Sequence, residues 1–160
     1  MNATTLLKAD HSAVKKLFRA YEKAEKADDN AKKKAIFDEI ATELDIHAKV
    51  EEEIFYPAMK ATDKDEAVDD VLEALEEHGI VKSLLAQLKK MKPEDETFDA
   101  KVTVLIESVE HHAGEEEDEM FPEAEKELGQ PKLRELGARI EARRAELKGT
   151  EAPRARRAIA

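Results

Sequence analysis

His47-Ala48-Lys49-Val50-Glu51-Glu52-Glu53-Ile54-Phe55-Tyr56-Pro57 and His112-Ala113-Gly114-Glu115-Glu116-Glu117-Asp118-Glu119-Met120-Phe121-Pro122 are two copies of one phrase. In each copy a His precedes a Glu by four positions, one helical turn, so imidazole and carboxylate point the same way. The surrounding apolar residues show which way that is. Phe37, Ile40, Leu44, His47, Glu51, Ile54 and Phe55 keep a three/four spacing, and Phe98, Val102, Leu105, Val109, His112, Glu116 and Met120 keep nearly the same one. Both His-Glu pairs therefore occupy the core stripe of a helix, at positions where Leu would be expected.

Two further histidines extend the pattern. Asp10-His11-Ser12-Ala13-Val14-Lys15 resembles Glu77-His78-Gly79-Ile80-Val81-Lys82, and each segment precedes one copy of the phrase by a similar distance. His11 lies in the stripe Leu7, His11, Val14, Phe18, Tyr21, and His78 in Val71, Leu75, His78, Val81, Leu85. Each half of the chain reads as a helical hairpin with His on its first helix and His plus Glu on its second, an internal duplication. Two such hairpins make an all-α, up-down-up-down four-helix bundle with a shared polar centre.

The spacing predicts helices over 4–27, 31–56, 65–91 and 97–120. Turn signals at Asp28-Asp29-Asn30, Thr62-Asp63-Lys64-Asp65 and Met91-Lys92-Pro93-Glu94-Asp95 separate them. Asp10 can cap a second helix if the first breaks near Ala9. Pro57 and Pro122 are expected to end the two long helices, since proline donates nothing to the preceding turn and disfavours helix in its predecessor. An extra C-terminal helix over about 131–148 carries the thinner stripe Leu133, Leu136, Ile140, Leu147 and is expected on the outside of the bundle. The organisation expected is a bundle domain over 1–125, a helical extension over 126–148 and a basic flexible tail over 149–160.

Composition bounds the function. The 160 residues suit one domain with a sizeable core. A net charge of −11 with 41% charged residues excludes an overall basic nucleic-acid footprint. No cysteine is present, so thiolate metal sites, disulfides and cysteine nucleophiles are excluded. No apolar run approaches the ~20 residues of a membrane span. Nor is there a leader of secretory type at the start, so a cytoplasmic protein that touches neither nucleic acid nor membrane is expected.

If the hairpins pair as described, His11, His47, Glu51, His78, His112 and Glu116 meet at one level of the bundle. A buried polar group without a partner costs on the order of 1–3 kcal/mol, and a bare carboxylate more. Six of them would consume much of the ~5–15 kcal/mol by which a domain is stable, and metal coordination compensates all six together. Each histidine taken alone reads as an ordinary hydrogen-bonded core residue; four on four helices, two carrying Glu one turn on, read as ligands. His111 is rotated roughly 100° off the stripe and reads as a flanking residue. Glu52, Glu53, Glu115, Glu117 and Asp118 read as a solvated acidic face, and Tyr21 and Tyr56 as core edge or, alternatively, as pocket-lining phenols able to hydrogen-bond a bound ligand or act as a redox neighbour. Imidazole with carboxylate suits iron, zinc, copper or manganese, and two carboxylates able to bridge favour a two-metal site with open positions over a closed structural zinc.

Taken as an ordered set, Asp10-His11-x-x-Val14-Lys15, His47-x-x-x-Glu51, Glu77-His78 and His112-x-x-x-Glu116 resemble the hemerythrin-like, or HHE cation-binding, domains over about residues 4–125. The resemblance implies a non-haem di-iron centre, two Fe ions with an oxo or hydroxo bridge, His11 and His47 on one iron, His78 and His112 on the other, and Glu51 and Glu116 bridging. It implies binding of dioxygen, peroxide or nitric oxide in sensing, scavenging or stress response, or alternatively an enzyme that disproportionates peroxide or reduces nitric oxide, or iron handling. The chain departs from the oxygen-carrying hemerythrins at two places. Their third helix carries His-x-x-x-His, where Ala74 and Lys82 flank His78 here, and their last motif is His-x-x-x-x-Asp, where His112-x-x-x-Glu116 stands here. This lighter ligand set is more similar to bacterial relatives linked to peroxide, nitric oxide or iron handling. A ferritin-like oxidase needs Glu-x-x-His pairs; Lys8, Leu44, Leu75, Ser108 and Val109 occupy the positions three before the five histidines, so that alternative falls.

Overall fold

A computed structural model describes residues 1–159, with side chains through Gly149. Helix α1 spans Ala3–Lys26 and α2 Asn30–Val50. A single π-helical turn over Glu51–Phe55 leads into the short α3, Tyr56–Lys60. Helix α4 spans Asp65–Lys89, α5 Phe98–Glu115, and a second π turn over Glu116–Met120 leads into α6, Phe121–Ile159. The architecture is the expected all-α bundle with an added C-terminal helix. Among the described residues no helix is long and apolar enough to cross a membrane.

The local chemistry sets the helix ends. Asn2 caps α1 by accepting from the Thr5 amide, and Asp29 caps α2 by accepting from the Lys32 amide. The turns before α2 and α4 place Asp28 (φ 52°) and Asp63 (φ 56°) in the left-handed region, which Asp tolerates because its short side chain satisfies the local backbone. Helix α1 runs unbroken through Asp10, which caps nothing.

The helices do not end at the prolines. In each π turn one amide reaches back five residues, Tyr56 to the Glu51 carbonyl and Phe121 to the Glu116 carbonyl. Pro57 and Pro122 follow at the second residue of α3 and of α6. The widened turn opens the ladder where the ring would press on the preceding carbonyl, so the helix passes through instead of stopping.

Two apolar clusters fill the bundle. One holds Phe18, Phe37, Ile40, Leu85, Phe98 and Leu105, and the other Leu7, Val50, Phe55, Met59, Val71 and Phe121. Each fully buried Phe or Leu contributes ~1.5–3 kcal/mol. Along α1, α2, α4 and α5 the His or His-Glu positions fall between residues of these two clusters, so the polar layer is sandwiched by apolar ones.

Helix α6 kinks at Gly129, whose φ of 76° and ψ of 164° require glycine. Beyond the kink, Leu133, Leu136 and Ile140 are completely buried, packed with Leu6, Leu7, Ile46 and Val50, so the extension shares the core despite its sparse stripe. The expected basic tail falls on side chains outside the described residues.

Gly137 is where the extension meets the chain start. A Cβ there would stand 2.3 Å from the Met1 carbonyl oxygen and 3.2 Å from the Ala3 amide, and backbone cannot swing aside as a side chain would. Gly137→Ala is expected to lower the unfolding free energy by ~1–3 kcal/mol, read as a lower urea midpoint at an unchanged slope.

Candidate metal centre

The four stripe histidines and two glutamates meet as a single buried layer. His11, His47, Glu51 and Glu116 each bring one donor atom to within 4.8 Å of the others, and so do Glu51, His78 and His112. Glu51 belongs to both groups. Its Oε1 lies 3.0 Å from His47 Nε2 and 3.2 Å from His78 Nε2, while Glu116 Oε1 lies 3.2 Å from both His11 Nε2 and His112 Nε2. All six side chains are buried, both glutamates almost completely.

These atoms are close without satisfying one another. His11 Nε2, His47 Nε2, both Glu51 oxygens and Glu116 Oε1 are buried and make no hydrogen bond within the protein. His78 and His112 face each other through Nε2 at 3.1 Å, a contact in which only one ring can donate. Once the rings are deprotonated, their Nε2 lone pairs and the carboxylate oxygens turn toward a common point, which a bound cation would satisfy, so the donor set fits one.

The outer nitrogens explain why the rings are aimed inward. His47 Nδ1 lies 3.0 Å from Asp10, His78 Nδ1 2.9 Å from Glu52, and His112 Nδ1 2.8 Å from Glu77, each an N–H donating to a carboxylate. His11 Nδ1 faces Glu117 at 3.5 Å. A proton held on Nδ1 leaves the Nε2 lone pair for a metal. Each carboxylate is the sequence neighbour of another inner donor: Asp10 of His11, Glu77 of His78, Glu52 of Glu51, Glu117 of Glu116. Glu52 is thus corrected from solvated face to ring partner, while Glu117 stands beside His11 Nδ1 without hydrogen-bonding it. The signal was an acid beside an inner donor, repeated in both halves. Two of these carboxylates are held in turn from outside, Asp10 by Arg144 of α6 (2.5 Å) and Glu52 by Lys82 (2.7 Å).

Tyr56 also moves from core edge to the centre. The π turn places it one wide turn beyond Glu51, on the same face, and its hydroxyl donates to Glu116 at 2.9 Å while lying 3.1 Å from His78 Nε2 and 3.2 Å from His112 Nε2. Its counterpart in the second copy, Phe121, has no hydroxyl and stacks on His11 with ring centroids 5.8 Å apart. Tyr21 stays away from the centre. It donates to Asp99, which also pairs with the buried Lys33, a polar strut near the far end of the bundle. His111 is two-thirds exposed and takes no part in the inner layer.

A cavity of about 40 Å³ opens onto the histidines. Val14, Leu44, Val81, Leu85 and Val109 form much of its wall, and His11, His47, His78 and His112 also border it. It has room for a molecule of a few atoms and none for an organic substrate of drug size.

The electrostatics follow from the layering. Burial opposes charge on His47, but the Glu51 carboxylate and the Asp10 hydrogen bond lift its pKa to about 10. Burial likewise opposes charge on His112, where the nearby carboxylates of Glu116 and Glu51 push it up to about 12. For Glu51, burial is the largest influence and raises the pKa, but the His47 charge and the neighbouring Glu116 and His112 together outweigh it and hold the carboxyl well below its usual range. Burial and the two carboxylates push the Tyr56 phenol well above its ordinary value.

Residues 2–124 match the Hemerythrin HHE cation binding domain family. An uncharacterized protein of Mycobacterium tuberculosis is 32% identical over 152 residues, covering 94% of this chain and 89% of that protein. A DNA nickase of Nostoc is 30% identical over 121 residues, which span 76% of this chain and 33% of that protein. The crystal structure of a hemerythrin HHE cation binding domain-containing protein from Mycobacterium kansasii superposes with a TM-score of 0.78 at 28% identity, covering 98% of this chain and 93% of that one.

Because the raised values of His47 and His112 lie above neutral pH, both rings are expected to hold an inner proton in the metal-free protein, and a ring must lose that proton to coordinate. Cation loading at pH 7.5 is therefore expected to release about two protons per chain, and affinity to climb with pH until these rings deprotonate unaided. An indicator dye in weak buffer during titration with Zn(II) measures the release, and a proton-neutral titration would contradict the assignment.

Proposed function

The chain belongs to the hemerythrin HHE cation-binding domain family, and from that membership we propose that its buried centre holds two iron ions and offers them to dioxygen, peroxide or nitric oxide, for sensing, scavenging or a stress response. The observation that carries this reading is the set of inward donor atoms without hydrogen bonds at His11, His47, Glu51 and Glu116. In this reading His11 and His47 hold one ion, His78 and His112 the other, and Glu51 and Glu116 span the pair. The two donor groups overlap at Glu51, which supports two adjacent ions over one. Tyr56 adds an oxygen donor beside His78 and His112, the side on which oxygen-carrying hemerythrins have an additional histidine. A phenol and carboxylates beside imidazoles favour iron over softer ions.

Bound iron supplies open coordination positions and a change of oxidation state. The chain's residues supply the rest. Asp10, Glu52 and Glu77 keep the Nδ1 protons and fix the rings. The valine and leucine walls keep water few and admit a small uncharged molecule. Tyr56 Oη holds a proton at the centre and passes it toward Glu116 through an existing hydrogen bond.

That proton favours a second reading, an enzyme that converts two hydrogen peroxide molecules into two of water and one of dioxygen. The reaction needs protons moved between oxygens without net uptake, and a phenol paired with a carboxylate can lend one and recover it.

Iron-supplemented protein is expected to contain about two irons per chain. His47→Ala and His112→Ala should each lower that content while His111→Ala should not; a single zinc, or equal loss from all three variants, counts against the centre. In stopped-flow mixing of reduced protein with oxygen, peroxide and nitric oxide, a lasting adduct supports reversible binding and rapid peroxide loss supports the enzyme. Tyr56→Phe should slow peroxide loss on the order of 10²-fold if the phenol moves the proton, with iron content retained.

A further inference from the structure

A second cleft of about 40 Å³ reaches the same layer between α4 and the second π turn, with a different wall. Asp70, Glu73 and Glu77 lie along one face of α4, and Glu115 and Glu119 face them from the end of α5 and the π turn. Its lining includes the buried His112 and Glu116. Several surface carboxylates elsewhere pair with cations, as Glu22 does with Arg19, Asp38 with Lys34, Asp45 with Lys89 and Glu53 with Arg143. Among the described residues, no Lys or Arg forms an ion pair with any of the five cleft carboxylates. Burial, then the charges of Glu119, Glu66, Glu73 and Glu123, push the Asp70 carboxyl upward, the mark of a concentrated negative field.

His111, unused by the inner layer, stands exposed beside this cleft, against two of its lining carboxylates. Its Nε2 lies 2.9 Å from Glu115 and 3.6 Å from Glu77 Oε2, and these three residues can bring one donor each within 4.8 Å. The other oxygen of Glu77 accepts from His112 Nδ1 at 2.8 Å, so one carboxylate touches both the outer trio and an inner ring. Acidic clusters are common on a chain of this charge. What separates this one is Glu116, nine-tenths and more buried, whose Oε1 makes no hydrogen bond where the cleft meets the inner layer.

We infer that this cleft is the loading route for divalent cations, with Glu77, His111 and Glu115 as an outer station where a cation docks before passing to His112 and Glu116. The inference rests on the inner layer being a metal centre. It gives the molecule two approaches of opposite character, an apolar one for small uncharged ligands and an anionic one for metal. A low-dielectric cleft lined by one sign of charge focuses its field and raises association rates by ~10–10³, and the effect shrinks as salt screens it.

Anaerobic stopped-flow uptake of Co(II) by the metal-free full chain, followed by the visible absorption of the bound ion, tests the route. Glu73→Gln with Glu119→Gln should slow uptake about ten-fold or more and flatten its dependence on salt, while final stoichiometry and spectrum stay as in wild type. His111→Ala should slow uptake with the same endpoint. Glu39→Gln with Glu94→Gln, an equal loss of charge away from the cleft, should change little. Rates equal to this control in the cleft variants, at full stoichiometry, would overturn the route and leave the centre standing; a wild-type chain that takes up no metal would overturn both.

Discussion

Six polar side chains are confined to one layer between two apolar clusters, and inward atoms of His11, His47, Glu51 and Glu116 make no hydrogen bond within the protein. Hydrophobic burial on either side fixes the level at which the layer forms, and helical periodicity delivers donors to it from four helices at once. Removing that many polar groups from water is tolerable only if they share something that engages them together. The outer carboxylates belong to the same constraint. Without a partner on Nδ1, each ring could turn its lone pair elsewhere, and the inner face would lose its uniform aim.

The bundle and the six inner donors were legible because helix period and ligand spacing coincide: His47 and Glu51, like His112 and Glu116, sit one turn apart in stripes otherwise apolar. The π turns were not legible. A one-residue widening leaves the apolar pattern nearly intact, and the prolines just beyond it read more simply as stops. That misreading left Tyr56 between core edge and pocket, since on an unbroken α-helix it lies off the stripe while Phe55 lies on it. The ring partners were hidden for another reason. In a chain with 38 acidic residues, an acid beside a ligand looks like solvated surface, and only its recurrence at Glu52 and Glu117, and at Asp10 and Glu77, separates it from background.

The duplication is close to symmetric in its scaffold and unsymmetric in its chemistry. Both halves contribute His, His and Glu, the same outer carboxylates and the same π turn. At the matched position beyond that turn, one half places a phenol among three inner donors and the other lays a phenyl ring over His11. Two ions held there would have different neighbours, one with a dissociable oxygen donor and one with an apolar lid. The halves therefore suit unequal roles at a common centre.

Arg144 reaches from the last helix to Asp10, which holds His47. Whatever fixes His47 in its inward pose also fixes Asp10, and through it the seat of Arg144; the converse holds with equal free energy, since linkage between two equilibria is reciprocal. Any tightening of the Arg144–Asp10 contact by an ion held at His47 would be returned as an equal gain in affinity for that ion, which would tie the last helix to the state of the interior.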